Sequence, residues 1–332
     1  MSNPESRPAR PTGAADQEPP GSVRVLTARE VPLGGPRAMT VRRSLPQRGR
    51  SLIGAWCFVD HYGPDDVTAT GGMQVPGHPH TGLQTVSWLF SGEVEHRDTT
   101  GATAVVRPGE LNLMTAGSGI AHSEFSTPVT TTLHGVQLWV ALPERARFVE
   151  PRFEHYAPEV VEVDGARVRV FLGSLLGQVS PVATHTPVVG AEVVLPPGAS
   201  MTIPVDPAHE HGLLCDTGRV SVAGVSAGPG EIIHVARGTA GITVSSVSTG
   251  PDGARLLVIG GEPLGEQIVM WWNFVGRSHD EVARFREDWQ REREAVERYA
   301  AAPTSRFGTF PAAWTHTLPA PALPHLRLRP RD

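Results

Sequence analysis

Two pairs of residues have the types and the spacing of metal ligands. The first pair is His78 and His80, and the second, later in the chain, is His122 and Glu124. In a β-strand the side chains at i and i+2 leave the same face, so each pair can point two ligands into one interior when the strands face each other. Three imidazoles and one carboxylate suit a divalent transition metal such as iron, copper, nickel, cobalt or manganese. An ion that takes six ligands would keep positions open for substrate or oxygen.

The second pair decides between a metal site and a merely polar strand. A single His-x-His motif is as often as not only two polar side chains. Here a second ligand pair follows a hairpin and the turn Pro108-Gly109-Glu110, which favours a metal site. A structural zinc held by thiolates is disfavoured, because neither Cys57 nor Cys215 lies near either pair. Both cysteines lie within apolar runs and are predicted to be buried, reduced thiols.

For the other histidines of the first half, the first interpretation is that they are ordinary polar residues. His61 precedes a Tyr-Gly-Pro turn, and His134 opens the apolar strand LHGVQLWVAL. Either could also support the metal ligands from behind. His96 belongs to the charged segment GEVEHRD and is predicted to lie on a solvent-exposed hairpin tip.

The second half contains an imitation of the first motif. His209 and His211 flank one residue, as in a His-x-His pair, but no histidine or carboxylate follows at the matching place. Only His234, within a later apolar strand, could reach such a site. The second half is therefore predicted to be structural and free of metal.

Composition excludes several classes of protein. The chain has 332 residues, with 29 basic side chains, all of them Arg, against 34 acidic ones, for a net charge of -5. Direct nucleic-acid binding is not expected from this balance. No apolar run approaches the ~18 residues of a membrane helix, and the first residues lack the apolar stretch of a signal peptide. We therefore expect no membrane association and a cytoplasmic location.

The pattern along the chain predicts an all-β protein of two tandem barrels. With 36 Gly and 31 Pro, short apolar runs alternate with turns, and residues 91–117 and 216–238 repeat a hairpin followed by a Pro-Gly-Glu turn. A helix is predicted late, where Ser278 and Glu281 have the spacing of a capping box. The predicted ranges are a disordered leader (1–21), a metal-binding barrel (22–145), a second barrel (146–275), a short helix (276–300) and a Pro-rich extended tail (301–332).

The first ligand pair also resembles the first motif of the cupin superfamily. That motif is Gly, five residues, His-x-His, three or four residues, Glu and then Gly. This chain has Gly72, five residues, His78-x-His80, three residues, Gln84 and then Gly92. Gln84 thus replaces the usual Glu, so Glu124 supplies the only carboxylate of the set, and Gln84 is a further candidate for a residue behind the ligands.

More closely, the chain resembles the pirin family. The segments that support this are WCFVDHYGP (56–64), HPHTGLQTVSW (78–88), SGEVEHRD (91–98), MTAGSGIAHSE (114–124) and WNFVGRSHDEV (272–282). The resemblance implies a bicupin of two double-stranded β-helix barrels, with one mononuclear metal in the first. By position, it assigns the ligands to His78, His80, His122 and Glu124. It points to Fe²⁺, while Ni, Co, Mn and Cu remain compatible with the ligand set.

The resemblance implies two alternative functions. Some pirins act as quercetin 2,3-dioxygenases, which open the flavonol ring with O₂ and release carbon monoxide; here a small aromatic or enol substrate would bind the metal, with Glu124 as candidate base. Others are iron-dependent regulators that act through contact with a protein partner. Where many pirins have Arg in the first motif, this chain has Thr81, which weakens the transfer of a partner-binding role.

Overall fold

The computed structural model describes residues 18–32, 39–299 and 305–332. Its first elements, in chain order, are β1 (Val23–Leu26), β2 (Arg29–Pro32), β3 (Thr40–Leu45), β4 (Trp56–Asp66), α1 (Val67–Thr70), β5 (Gln74–His80), β6 (Leu83–Ser91), β7 (Val94–Asp98), β8 (Thr103–Val106), β9 (Leu111–Thr115), β10 (Ile120–Ser126), β11 (Thr132–Ala141) and a short 3₁₀ helix (Glu144–Ala146). The remaining elements are β12 (Arg152–Tyr156), β13 (Val161–Val163), β14 (Ala166–Leu172), β15 (Ser174–Leu175), β16 (Gln178–Val179), β17 (Val188–Leu195), β18 (Ser200–Pro204), β19 (Glu210–Thr217), β20 (Val220–Val222), β21 (Val225–Ala227), β22 (Ile232–Val235), β23 (Gly241–Ser246), β24 (Ala254–Gly261), β25 (Val269–Trp271), β26 (Phe274–Gly276) and α2 (His279–Tyr299).

The strands form two barrels of the same design, as the internal repeat predicts. The first barrel has a seven-stranded sheet in the order β12-β9-β6-β11-β4-β3-β2 and a four-stranded sheet in the order β5-β10-β7-β8. The second repeats this with β1-β22-β19-β24-β17-β14-β13 and β18-β23-β20-β21. The prediction of an all-β protein with two tandem barrels and a C-terminal helix is confirmed.

The barrels exchange their outermost strands. The strand β1, at the start of the chain, pairs with β22 of the second barrel, with Val23 opposite Val235. The strand β12, which follows the first barrel, returns to pair with β9, with Phe153 opposite Met114. Each seven-stranded sheet therefore includes a strand from outside the range predicted for its barrel (22–145 or 146–275). Each of these strands covers an edge strand of the other barrel.

A continuous apolar core joins the two barrels. It combines buried side chains of both seven-stranded sheets, among them Trp56, Trp88, Phe171, Leu214 and Ile259. The ring of Trp88 stacks on Phe171 at 4.6 Å, and the Trp56 indole N–H donates to the Gly260 carbonyl at 3.0 Å. The outer faces of these sheets are thus buried against each other, which makes the junction between the barrels a place where polar side chains are enclosed.

The helix α2 and the tail pack on the first barrel. Ser278 Oγ accepts a hydrogen bond from the Glu281 N–H, as the capping-box spacing predicts, while the Glu281 carboxylate accepts from the Arg277 N–H. Trp289 of α2 is fully buried and donates to the Leu318 carbonyl of the tail. None of the helices in the described part of the chain combines enough length and hydrophobicity to span a bilayer.

The predicted leader is only partly within the described residues. Residues 1–17 lie outside them, whereas residues 18–21 are placed against the second barrel. The Glu18 carboxylate pairs with Arg24 at 2.7 Å and with Arg50 at 2.6 Å, and the Gly21 N–H donates to the Arg237 carbonyl. The last residues of the predicted leader are therefore ordered. Both cysteines are buried and free, as predicted.

Candidate metal centre

The structure gathers the three predicted histidine ligands in the first barrel. His78 and His80 lie on β5 and His122 lies opposite His78 on the neighbouring strand β10. One ligand atom from each lies within 4.8 Å of the other two, and all three side chains are fully buried. The i, i+2 spacing on β5 and antiparallel pairing with β10 are sufficient to produce this convergence. We call these three residues the histidine triad.

Hydrogen bonds fix which nitrogen of His78 faces the centre of the triad. Its Nδ1 lies 2.9 Å from the Pro76 carbonyl, which can only accept, so Nδ1 must bear the proton. Its Nε2 is therefore a lone pair, and this atom is buried without a hydrogen-bond partner. A buried acceptor without a donor is costly, and a metal ion at the triad would satisfy it.

A second chain of hydrogen bonds fixes His122. Asp98 lies 3.0 Å from His96 Nε2, and His96 Nδ1 lies 3.3 Å from His122 Nδ1. An ionised carboxylate only accepts, so His96 donates from Nε2 and accepts at Nδ1 from His122. The Nε2 atom of His122 is then a lone pair, and it faces His80 Nε2 at 3.1 Å. The chain Asp98–His96–His122 therefore prepares a ligand atom, as carboxylate–histidine pairs do behind metal ligands.

The prediction that His96 lies on a solvent-exposed hairpin tip is wrong. His96 is only 3% exposed, and its ring stacks on Phe153 of β12 at 4.6 Å. The strand β7 alternates buried and half-buried positions, so that Val94, His96 and Asp98 share the buried face. That period of two was the available signal, and the charged neighbours obscured it. The exchanged strand β12 thus supplies the wall behind this hydrogen-bond chain.

Burial favours the neutral forms of the three imidazoles. Burial lowers the pKa of His78, His80 and His122 well below the ordinary value, with the nearby imidazoles adding to the effect. Burial by itself would raise the pKa of Asp98, but hydrogen bonds from His96 and Thr100 lower it. Neutral imidazoles supported by an ionised carboxylate are the forms that bind a metal.

Glu124 is buried and lies near the triad in sequence, but it is not one of the three converging ligands. It follows His122 on β10 and is 2% exposed, yet the group of converging ligand atoms consists of the three histidines. The register of β10 against β5 shifts between His122 and Glu124 because β5 has one extra residue there, whereas β10 stays in regular register with β7. Its charge helps, after burial, to raise the pKa of Tyr62 on β4. The assignment of Glu124 as a ligand and base stays a prediction.

Aromatic rings line one side of the triad. The Trp139 ring meets the His80 ring edge-on at 5.2 Å and stacks on Phe58 at 4.0 Å. The Arg43 guanidinium lies 4.3 Å from the centre of the Phe58 ring. It also forms a fully buried pair with Asp60, joined by two hydrogen bonds. This wall fixes the rotamer of His80 by packing.

The C-terminal tail braces the strands that bear the triad. The ring of Trp314 lies against Gly77, where an added Cβ would come within 2.5 Å of the indole. Its N–H donates to Ser123 Oγ at 2.8 Å, and the Leu318 N–H donates to the Gly77 carbonyl. Gly77 and Ser123 immediately precede and follow the ligands His78 and His122. The predicted extended tail thus packs on the outer face of the four-stranded sheet that contains β5 and β10.

Two of the three residues predicted to support the ligands lie in a different group, and the role of Gln84 stays a prediction. His61 and His134 are brought together with Asp216 of the second barrel, at the junction between barrels. His61 and Tyr62 are consecutive on β4 and so leave opposite faces, with Tyr62 toward Glu124. Gln84 donates to Thr115 Oγ1 at 2.9 Å. The residues that do lie behind the triad, His96 and Asp98, were not identified from the sequence.

The second barrel buries two of its histidines without assembling a comparable group. In the described parts of the chain, the groups of three converging ligands are the histidine triad and the cluster at the junction. His211 and His234 lie on the adjacent strands β19 and β22 and are almost fully buried. Burial lowers the pKa of His211 to about 4 and that of His234 to about 3. These are neutral structural residues.

These buried imidazoles should make the protein less stable in acid. Below the ordinary histidine pKa of about 6.5, the unfolded chain binds protons that the folded chain does not bind. The free energy of unfolding therefore decreases as the pH is lowered. The decrease is up to about 1.4 kcal/mol per pH unit for each histidine, until the folded pKa is reached. His234→Leu should reduce the loss of stability between pH 7 and pH 5 measured by urea unfolding. His316→Leu, on the exposed tail, is the control; equal losses in wild type and His234→Leu would contradict the prediction.

Comparison with known proteins identifies the family. The family model named Pirin matches residues 38–140, and the model for the pirin C-terminal cupin domain matches residues 190–295. The chain belongs to the pirin family. A Pseudomonas aeruginosa protein, whose name assigns it provisionally as a quercetin 2,3-dioxygenase, is 39% identical over 87% of this chain and 90% of its own length. Human pirin is 32% identical over 67% of this chain and 78% of its own length. The predicted resemblance to pirins is confirmed.

Solved pirin-type structures share the fold. A crystal structure named quercetin 2,3-dioxygenase, from Acinetobacter baumannii, superimposes with a TM-score of 0.82 at 37% identity, over 92% of this chain and 97% of that one. The bacterial pirin YhhW of Escherichia coli, solved in complex with nickel(II), matches with a TM-score of 0.57 at 20% identity, over 73% of this chain and 100% of that one. Both support two cupin barrels in this pirin-family chain. The histidine triad lies in the range matched by the first family model.

Proposed function

We propose that this protein is a dioxygenase of the quercetin 2,3-dioxygenase type, with one divalent metal, Fe²⁺, at the histidine triad. The observation that carries the proposal is the convergence of three buried, neutral imidazoles whose ring protons are turned away from a common centre at His78 and His122. The relative of 37% identity named quercetin 2,3-dioxygenase supports the reaction class. The proposal assigns His78, His80 and His122 as ligands and Glu124 as the fourth ligand and base.

The residues around the triad would each have a separate role in such a reaction. When bound, the metal supplies Lewis-acid activation, which lowers the pKa of a flavonol hydroxyl. Glu124, buried and two residues beyond His122, would accept that proton. Trp139 and Phe58 provide an apolar wall against which an aromatic substrate can lie, and they keep water from the reacting carbon. O₂ would then open the flavonol ring, and carbon monoxide would leave.

Turnover of quercetin tests the proposal. Purified protein is loaded with Fe²⁺ without oxygen, its metal content is measured, and air is admitted with quercetin while flavonol absorbance and carbon monoxide are followed. We expect turnover in wild type, loss of metal and turnover in His80→Ala, and loss of turnover with metal retained in Glu124→Gln. The variant His155→Ala, on the exposed side of β12, should behave as wild type. A fully loaded wild-type protein without turnover on a panel of flavonols would contradict the proposal and favour a regulatory protein that binds a protein partner.

A further inference from the structure

A second cluster of ligand-type side chains lies where the two barrels meet. His61 of β4 and His134 of β11 come from the first barrel, and Asp216 of β19 comes from the second. Asp216 Oδ1 lies 2.6 Å from His61 Nε2 and 2.7 Å from His134 Nε2, and the two Nε2 atoms are 3.4 Å apart. The side chains of His61 and Asp216 are fully buried, and that of His134 is 7% exposed. We call these three residues the junction cluster.

The separations within the junction cluster allow one ion to contact all three atoms. Atoms at these distances share a point, to one side of their plane, that is roughly 2.0–2.1 Å from each, which is the length of a zinc–nitrogen or zinc–oxygen bond. Two imidazoles and one carboxylate are a common ligand set for transition metals. The ligands come from three strands fixed in two different sheets, and the carboxylate and imidazoles, now in hydrogen-bond contact, would have to move slightly apart around an ion.

The surroundings hold the carboxylate in a ligand's orientation. Arg255 Nε donates to Asp216 Oδ2 at 2.6 Å, which leaves Oδ1 for the histidines, and its guanidinium lies 4.1 Å above the Phe90 ring. The Phe90 ring in turn contacts His134 at 5.0 Å. A hydrogen bond to the outer oxygen of a carboxylate is the usual support behind a metal ligand. Arg255 is 26% exposed and His134 is 7% exposed, so this end of the cluster lies nearest to solvent.

Hydrogen bonds set where the ring protons of the junction cluster lie. Without an ion, both imidazoles donate from Nε2 to Asp216 Oδ1. On binding, each ring proton moves to Nδ1, with no net release of protons. The buried Nδ1 atom of His61 has no hydrogen-bond partner, so the proton moved there would need an acceptor such as a water molecule.

We propose that His61, His134 and Asp216 form a second divalent transition-metal site. This site links the two barrels and is distinct from the histidine triad. Arg255 and Arg42 partly offset the charge of Asp216, so the site should bind more weakly than the triad. It should also prefer an ion with strong affinity for imidazole, Zn²⁺, over the oxygen-seeking Mg²⁺ and Ca²⁺. A metal here would stabilise the association of the barrels, since its ligands belong to both.

Zn²⁺ binding to the full-length, metal-free protein tests the second site. Equilibrium dialysis followed by metal analysis should give two equivalents in wild type, one in His80→Ala, one in Asp216→Asn and none in the combined variant. Asp216→Asn keeps the side-chain shape and an oxygen for Arg255. His155→Ala is the matched control and should retain two equivalents. The triad keeps its ion in Asp216→Asn, so failure here is distinguishable from failure of the proposed dioxygenase.

Thermal unfolding gives an independent readout. In the His80→Ala background, Zn²⁺ should raise the unfolding temperature, and adding Asp216→Asn or His134→Asn should remove that shift. Far-ultraviolet circular dichroism, at the minimum typical of β-sheet, establishes that each variant is folded. If Asp216→Asn is not folded, His134→Asn replaces it. A single equivalent in wild type that disappears entirely in His80→Ala would overturn the proposal, as would two equivalents retained in both folded junction variants.

Discussion

Replacing His96 with Phe should weaken metal binding at the histidine triad about 10–100-fold, the range found when the residue behind a metal ligand is lost. His96 Nδ1 accepts a hydrogen bond from His122 Nδ1–H, and His96 Nε2–H donates to Asp98, so the chain orders one tautomer of His122. Without that acceptor, the Nε2 atom of His122 no longer has to be the lone pair. Phe preserves the ring that stacks on Phe153, so the expected loss is one of hydrogen bonding rather than of packing.

The dissociation constant of the metal, measured by competition with a chromophoric chelator, is the appropriate readout. The control is Phe153→Leu, which removes the stacked ring but leaves both hydrogen bonds of His96. We expect Phe153→Leu to weaken binding much less than His96→Phe. An equal effect of the two substitutions would show that β12 positions the triad by packing alone, and an unchanged dissociation constant in His96→Phe would show that His122 needs no partner behind it.

The convergence of the three histidines depends on features of one strand each. His78 and His80 follow from ligand types at a spacing of two, and His122 from the same rule after a recognisable turn. The register shift between β5 and β10 could not be predicted, because the extra residue on β5 is set by strand pairing rather than by the local sequence. Strand pairing and packing also decide that His61 and His134 face the second barrel, which no local pattern indicates.

Contacts between distant segments account for the other differences. Asp216 approaches His61 only because the two seven-stranded sheets pack face to face, and nothing local to Asp216 indicates a partner in the first barrel. The exchange of β1 and β12 likewise reflects competition between sheet edges for unpaired strands. A repeat in the sequence predicts two barrels, but it does not say which barrel each flanking strand joins.

Removing Arg43 should destabilise the protein by about 3–5 kcal/mol, the range for breaking a buried ion pair from one side. Arg43 and Asp60 are both fully buried and joined by two hydrogen bonds of 2.7 Å. Burial raises the pKa of Asp60, and the charge of Arg43 opposes that rise, so Arg43→Met leaves a carboxyl group that is both poorly solvated and unpaired. The double variant Arg43→Met/Asp60→Leu should recover much of the loss, because it removes both polar groups together.

Urea unfolding of the metal-free protein measures this effect without a contribution from metal affinity. The matched control is Arg327→Met, which removes an exposed pair with Asp280 and should leave the midpoint unchanged. Equal losses in Arg43→Met and in the double variant would mean that the packing of Arg43 over Phe58, rather than its charge, is what stabilises the wall beside His80. In that case Asp60→Leu alone should be nearly neutral. If the charge pairing dominates, Asp60→Leu should instead be as damaging as Arg43→Met, since it leaves the guanidinium buried beside the rings that hold the triad.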